Sequence, residues 1–336
     1  MMLAMRSALA VVVLVACGQG PSSGELERLR AEAAAANAVA IAAHSDEAAH
    51  EPGRSLTITG QLGTPAATLE WAALDAASTT HVLTVNPQNP TDRTRVIDYR
   101  GVLARDLLDR YAASPDAREV TFVALDGFRS TVEQSALRRF RVLLAIAADG
   151  APIDRATGGP IYLVFPHSEA PESIALFPDR FWSFYVTHVV VGTEAARVRV
   201  GEHVLDAAAL AGLPATSLDG QVAWKVNWPS TPVHLRGVRL TDALHAAGVT
   251  VPAGGRVIVR GKAVIHRDPA DPIALAAADL ERCGFLLVSH WGDDDAPVPA
   301  RLGGPIALAV PPTCGAQYGD RFWIPFVEEL IVEAGQ

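Results

Sequence analysis

A chain of 336 residues has room for about two domains of ordinary size, each burying its own core. Its hydrophobic content of 49%, with only 19% charged residues, excludes a largely disordered polymer. A formal net charge of −9 with no basic block excludes binding to a phosphate backbone, so no nucleic-acid partner is expected.

The N-terminus carries the first signal. Arg6 precedes an apolar stretch, Ala8 to Ala16, that runs into Leu14-Val15-Ala16-Cys17-Gly18. The stretch is too short to span a bilayer and has the build of a signal-peptide core. Leu-Val-Ala-Cys resembles the bacterial lipobox, in which the cysteine is acylated and becomes the new N-terminus. The alternative is an ordinary secretory signal cut near Ala16. The lipobox reading predicts a signal peptide over 1–16 and membrane lipid on Cys17. It implies an exported protein facing the periplasm or the cell exterior, where two or more acyl chains suffice for a stable anchor. Residues 17–54 then form a tether, within which Glu25 to Ala43 is alanine-rich and free of Gly and Pro, predicting a helical stalk.

From Ser55 onward the chain repeats itself. Leu56-Thr-Ile-Thr-Gly60 alternates as a strand and leads to Leu69-Glu-Trp-Ala-Ala-Leu74; Val198-Arg-Val-Gly201 leads to Leu205-Asp-Ala-Ala-Ala-Leu210. Val85-Asn86-Pro87 aligns with Val226-Asn227-Trp228-Pro229, and Arg100-Gly-Val-Leu-Ala-Arg-Asp-Leu-Leu108 with Arg236-Gly-Val-Arg-Leu-Thr-Asp-Ala-Leu244. Leu137–Leu144 aligns with Leu280–Leu287, and Gly158-Gly-Pro-Ile-Tyr-Leu-Val-Phe-Pro166 with Gly303-Gly-Pro-Ile-Ala-Leu-Ala-Val-Pro311. Asp-Arg-Phe-Trp closes both series, at 179–182 and 320–323. The order predicts a tandem duplication, with a first module over 55–192 and a second over 197–336. Many strands, short helices and Gly/Pro turns without regular strand–helix alternation predict an α+β fold of mixed β-sheets.

The remaining signals are few. In an oxidising compartment Cys283 and Cys314 can pair, the alternative being buried free thiols. The histidines are scattered without ligand spacing, so no metal site is predicted. Asp293-Asp294-Asp295 reads as a solvated turn, and the paired glycines before each Pro-Ile as close backbone approach. No nucleophile elbow, P-loop or dinucleotide fingerprint is present, and no catalytic residue is assigned.

The ordered landmarks resemble the molybdopterin-binding domain of the sulfite-oxidase superfamily. The resemblance rests on Tyr99-Arg-Gly-Val-Leu-Ala-Arg-Asp-Leu-Leu108, Leu125-Asp-Gly-Phe128, Asp149-Gly-Ala-Pro-Ile153 and Gly158–Pro166. It covers nearly all of the first copy and, more loosely, the second. Catalytic members hold molybdenum through a cysteine thiolate placed before the first of these elements. Around Thr84 to Asn86 and Lys225 to Asn227 this chain has none. The first copy is similar to small exported relatives that also lack the cysteine, with Ser168-Glu-Ala-Pro-Glu172 and Phe177-Pro-Asp-Arg-Phe-Trp182 matching their C-terminal pattern.

The resemblance implies a membrane-tethered protein that binds a pterin or molybdopterin without thiolate-bound molybdenum, leaning to a non-catalytic, sensory or accessory role beside a membrane signalling or redox partner. The alternatives are a molybdopterin-dependent oxidoreductase with an atypical non-cysteine metal site, and a ligand-free protein-interaction module. If Asp-Arg-Phe-Trp opens the last strand of each copy, residues two apart share a face. Arg180 with Trp182, and Arg321 with Trp323, would then line a pocket wall, and Asn86 is a further ligand-binding candidate. An indole offers a flat ring a stacking surface, and a guanidinium offers planar donors. The competing reading packs each arginine stem along its indole and closes a sheet seam.

Overall fold

The computed structural model describes residues 54–89, 92–224 and 226–335, with Gly24, Arg28 and Glu32 of the N-terminal segment. The signal peptide over 1–16, Cys17 and Lys225 lie outside the described residues. The N-terminal segment to Pro52 is a unit of its own, in which Gly24, Arg28 and Glu32 are helical and Arg28 pairs with Glu32 one turn on, at 3.3 Å. Among the described residues no helix is long and apolar enough to cross a membrane.

The rest of the chain builds the same pair of sheets twice. In the first module, β1 (Ser55–Gly60), β2 (Ala67–Glu70), β5 (Glu119–Ala124), β6 (Arg129–Glu133) and β10 (Val186–Val191) form one sheet in the order β2-β1-β10-β5-β6. β3 (Thr80–Val85), β4 (Val96–Leu103), β7 (Leu143–Ala148) and β8 (Ala151–Pro152) form the other, with β9 (Tyr162–Val164) also on β7. The second module has β11 (Arg197–Val200), β12 (His203–Asp206), β15 (Arg256–Gly261), β16 (Ala274–Ala276) and β20 (Val327–Glu333) in the order β12-β11-β20-β15-β16. Its other sheet runs β13 (Ala215–Gly220), β14 (Val233–Arg239), β17 (Leu286–Trp291) and β18 (Ala296–Pro297), with β19 (Ala307–Ala309) on β17. β1 pairs parallel to β10 and β11 parallel to β20, while all other pairings are antiparallel. The fold is α+β with mixed sheets.

Local chemistry explains the repetition. β4 and β14 each carry a bulge at Arg-Gly, where β7 or β17 crosses closely. A Cβ on Gly101 would stand 2.1 Å from the Leu144 carbonyl oxygen, and one on Gly237 would stand 1.9 Å from that of Leu287. Only glycine admits that approach. The helix Ala104–Arg110 that follows buries Leu107 and Leu108, with Asp106 in its first turn and Arg110 in its last, each sign facing the matching dipole end. The core of the first module gathers Leu56, Ile58, Phe122, Leu144 and Phe165 between its sheets; Val198, Val257, Leu287 and Leu308 do the same in the second.

Two sequence expectations are corrected. Asp-Arg-Phe-Trp does not open the last strand: Asp179–Phe181 and Asp320–Phe322 are single 3₁₀ turns, and β10 and β20 begin at Val186 and Val327. The aspartate of each turn accepts the following tryptophan's N–H through its carbonyl, which tightens the backbone before it can extend. The alternating faces expected of a strand are therefore absent there. Asn227 is also not the counterpart of Asn86 in register. With Gly101 and Gly237 equivalent, Thr80 of β3 matches Thr216 of β13, so the loop holding Asn227 is an extension beyond that match.

Cys283 and Cys314 are bonded to each other, with Cα atoms 4.5 Å apart, and are 3% and 1% exposed. The bond closes a segment of 31 residues, which predicts about 3–4 kcal/mol of stabilisation from chain entropy. Replacing both by serine should lower the unfolding free energy of the second module by about that amount in a denaturant titration. A change below about 1 kcal/mol would show that the bridge does not constrain the unfolded chain.

Candidate functional site

The first module holds a cavity of about 920 Å³ between the β4–β7 face, the turn after β5 and the segment leading to β10. That size is in the range of small-molecule sites. Asn86, Arg180 and Trp182 all line it, so three residues singled out in the sequence meet at one wall.

Their roles differ from those expected. Asn86 is buried, and its amide serves the protein. Its Nδ2–H donates to the Tyr99 hydroxyl at 3.3 Å, while its Oδ1 accepts from the Tyr162 hydroxyl at 3.2 Å and the Gln88 N–H at 2.9 Å. Asn86 therefore sets the positions of two tyrosines. Burial pushes the Tyr99 phenol up to about 12 and drives Tyr162 further up, so both stay neutral wall groups. Trp182 is only 1% exposed, packed by Tyr162, Phe165 and His167 at ring distances of 5.6, 5.9 and 5.4 Å. It props the wall from behind, and its buried Nε1–H has no partner among the described residues. The more accessible ring is Phe184, half-buried and stacked on Tyr162 at 4.7 Å with 17° between planes.

Gly158 makes room for that ring. Its φ is +105°, and a Cβ there would stand 2.1 Å from the Phe184 ring. Three arginines add positive charge: Arg180 in the 3₁₀ turn, Arg155 over the Tyr185 ring at 5.5 Å, and Arg95, which is paired with Asp149. Gln88 Nε2–H donates to the Asp179 carbonyl at 2.7 Å, joining the loop after β3 to the turn that carries Arg180.

Among the described residues, the equivalent place in the second module is packed. Trp224 and Trp228 from the extended β13–β14 loop lie 4.6 Å apart, Trp224 lies 4.9 Å from Trp323, and Trp228 lies 5.5 Å from Trp291. Four of the six tryptophans of the chain thus join one apolar cluster with Leu235, Val298, Leu302 and Ala307. Strand register makes Leu235 the counterpart of Tyr99, Trp291 of Ala148 and Ala307 of Tyr162. Where the first module leaves space, the second is packed. Trp323 is part of that packing, and Arg321 is exposed and paired with Asp271 at 2.8 Å. Neither stands at a cavity wall. What closes this half is mainly the tryptophans of an inserted loop.

Residues 46–174 match the family model described as the oxidoreductase molybdopterin binding domain. Over that stretch the chain is similar to the molybdopterin-binding domain. No curated protein matches the chain. Among solved structures, the sulfane dehydrogenase SoxCD from Paracoccus pantotrophus is 14% identical, over 63% of this chain and 58% of that one, with a TM-score of 0.34. This chain thus spans less than two thirds of that structure's length.

The residues of the first module fit one part of a molybdopterin and not another. Aromatic rings beside arginines suit a flat, anionic heterocycle. A metal-binding thiolate is missing: no cysteine lines the cavity, and the two described cysteines are bonded to each other in the second module. Thr84 and Asn86 occupy the stretch in which the resemblance places that ligand, and both are buried. Among the described residues no three His, Cys, Asp or Glu side chains gather closely enough to hold a metal ion.

The sequence reading missed Tyr99, Tyr162, Phe184 and Arg155. A signal existed for Tyr162, which sits in a landmark whose second copy has Ala307 in its place.

Proposed function

We propose that the first module binds a flat, anionic heterocycle of the pterin class in its cavity, without a metal–thiolate bond. In this reading the protein is a non-catalytic, sensory or accessory component, held at a bacterial membrane by lipid on Cys17 and coupled there to a signalling or redox partner. The observation that carries the binding reading is a large cavity walled by neutral aromatic groups and edged by arginines, with no cysteine in its wall. Phe184 offers the ring a face, and Arg155 and Arg180 offer donors to its anionic substituents. Asn86, Tyr99 and Tyr162 hold one another in place, so little order has to be imposed when the ligand arrives.

The test is to produce the protein in a host that makes molybdenum cofactor, then oxidise extracts of the purified protein. Wild type should release a fluorescent pterin, Phe184→Ala should release several-fold less, and metal analysis should find no stoichiometric molybdenum. Stoichiometric molybdenum would replace this reading with an oxidoreductase holding its metal by an atypical, non-cysteine site. An empty extract, together with no binding of added pterin-6-carboxylate, would favour a ligand-free interaction module.

A further inference from the structure

The turn between β5 and β6 of the first module, Leu125–Phe128, has two contacts of different kinds. On one side Leu125, Asp126 and Phe128 line the cavity. On the other the turn rests on the second module: the Ile265 N–H donates to the Leu125 carbonyl at 3.2 Å, and Gly127 faces Ala263, close enough that a Cβ would stand 3.6 Å from it.

Arg129, the next residue, is 3% exposed. Its guanidinium donates from Nη1 to the Gly127 carbonyl at 3.2 Å, from Nη2 to Val226 at 2.7 Å and from Nε to Arg301 at 3.3 Å. Its cationic carbon lies 5.9 Å from the centre of the Phe326 ring. Among the described residues no carboxylate pairs with it, so carbonyl dipoles and a ring face compensate the buried charge. The two acceptors in the second module belong to the structure that closes its own cavity. Val226 lies between Trp224 and Trp228, and the Arg301 carbonyl also accepts from Asn227 Nδ2–H at 3.2 Å. Trp228 Nε1–H donates to the neighbouring Leu302 carbonyl at 2.7 Å. One planar group thus joins the cavity turn of the first module to the tryptophan loop of the second.

We propose that the second module has become a brace for the first module's ligand site, with Arg129 as the positioning residue that joins them. The tryptophan loop fills the second module's cavity and thereby gives the loop enough rigidity to hold the turn that walls the first. A rigid fork fixing three backbone segments supplies this where a flexible lysine would not. The proposal rests on the reading of the first cavity as a binding site.

The test uses the full chain with three variants: Arg129→Met, Arg129→Lys and Asn227→Gly. Asn227 is exposed at φ +63°, a conformation glycine takes freely, so Asn227→Gly alters the joint from the second module with the least risk to folding. Amide hydrogen exchange is followed without ligand, and pterin-6-carboxylate is then titrated. In Arg129→Met, exchange in peptides covering 124–130 and 226–229 should rise together by about tenfold or more, while β1 and β2 stay as in wild type. The affinity for pterin-6-carboxylate should fall by about tenfold. Arg129→Lys should recover part of both effects, and Asn227→Gly should loosen the 124–130 turn from the far side. Exchange confined to the second module, or raised equally everywhere, overturns the proposal; so does an unchanged turn in both Arg129→Lys and Asn227→Gly, should Arg129→Met not fold. If wild type does not bind pterin-6-carboxylate, the binding reading falls, while the exchange pattern still decides whether Arg129 braces the turn.

Discussion

The double variant Ala148→Trp, Thr157→Leu should lose pterin-6-carboxylate binding by about 100-fold or more while remaining folded. Both substitutions copy the second module. Ala148 pairs with Tyr99 in the β4–β7 register as Trp291 pairs with Leu235 in the β14–β17 register. Thr157 precedes Gly158-Gly159 and a cis Pro160 as Leu302 precedes Gly303-Gly304 and a cis Pro305. Each position lines the first cavity, and its counterpart belongs to the second module's apolar cluster. The backbone therefore already accommodates an indole and an isobutyl group at these places. Stability should stay within about 1 kcal/mol of wild type, because the new side chains enter open space rather than a packed core. Binding by titration and melting by circular dichroism check the two halves. Affinity held within about threefold in a folded double variant would mean the ligand sits elsewhere.

The largest stability effect is expected on acidification, and it arises where the modules meet. Burial, assisted by Lys262 and Arg267, pushes His188 down to about 4. Burial, assisted by Arg129 and Arg267, pushes His266 down to about 4 as well. For a histidine held neutral in the fold, the unfolded chain binds protons first as the pH falls. The stabilisation is complete above the ordinary value of 6.5, disappears progressively between 6.5 and about 4, and has gone below that. Each shift corresponds to about 3 kcal/mol at most, which the partial exposure of both rings reduces to about 2 kcal/mol each.

A carboxylate adds to this at the lower end. Burial alone would raise Glu328, but Lys262 and Arg267 outweigh it and hold the carboxyl below its ordinary value of 4.5. Its contribution is present above that value and is lost as the pH falls through the lowered one. Lys262, 5% exposed, also binds Glu194 at 3.0 Å, and the Thr59 hydroxyl donates to Glu194 at 2.6 Å, so the network spans both modules and their linker. Denaturant unfolding at pH 7.5, 5.5 and 4.5 should show a loss of about 4 kcal/mol across that window, and His188→Gln with His266→Gln should flatten it. An unchanged slope in the double variant would assign the acid sensitivity to other groups.

Much of the architecture was readable because duplication writes each landmark twice. Gly101 and Gly237 recur because a crossing strand leaves no room for a Cβ, and such a constraint survives divergence of the surrounding residues. Leu108 recurs as Leu244 because both helices bury the same face: Ala104, Leu107 and Leu108 in one copy, Leu240, Ala243 and Leu244 in the other. The cavity was legible only where the copies disagree. Tyr162 against Ala307 is a difference inside a matched strand, at a position that in one module faces space and in the other faces tryptophan.

The sequence by itself determined the repeat, the α+β class and the missing cysteine ligand. These follow from local rules, in which residue type, spacing and backbone demand act over a few positions. Tertiary structure alone decided that Asp-Arg-Phe-Trp is a 3₁₀ turn, that Trp182 supports the wall from behind, and that Cys283 meets Cys314. It also decided that only one of the two matching motifs faces a cavity. The physical reason is that a cavity is a deficit of volume among residues far apart in the chain. Whether Trp323 lines a space or fills one depends on Trp224 and Trp228, almost a hundred positions away, which the repeat pattern does not contain.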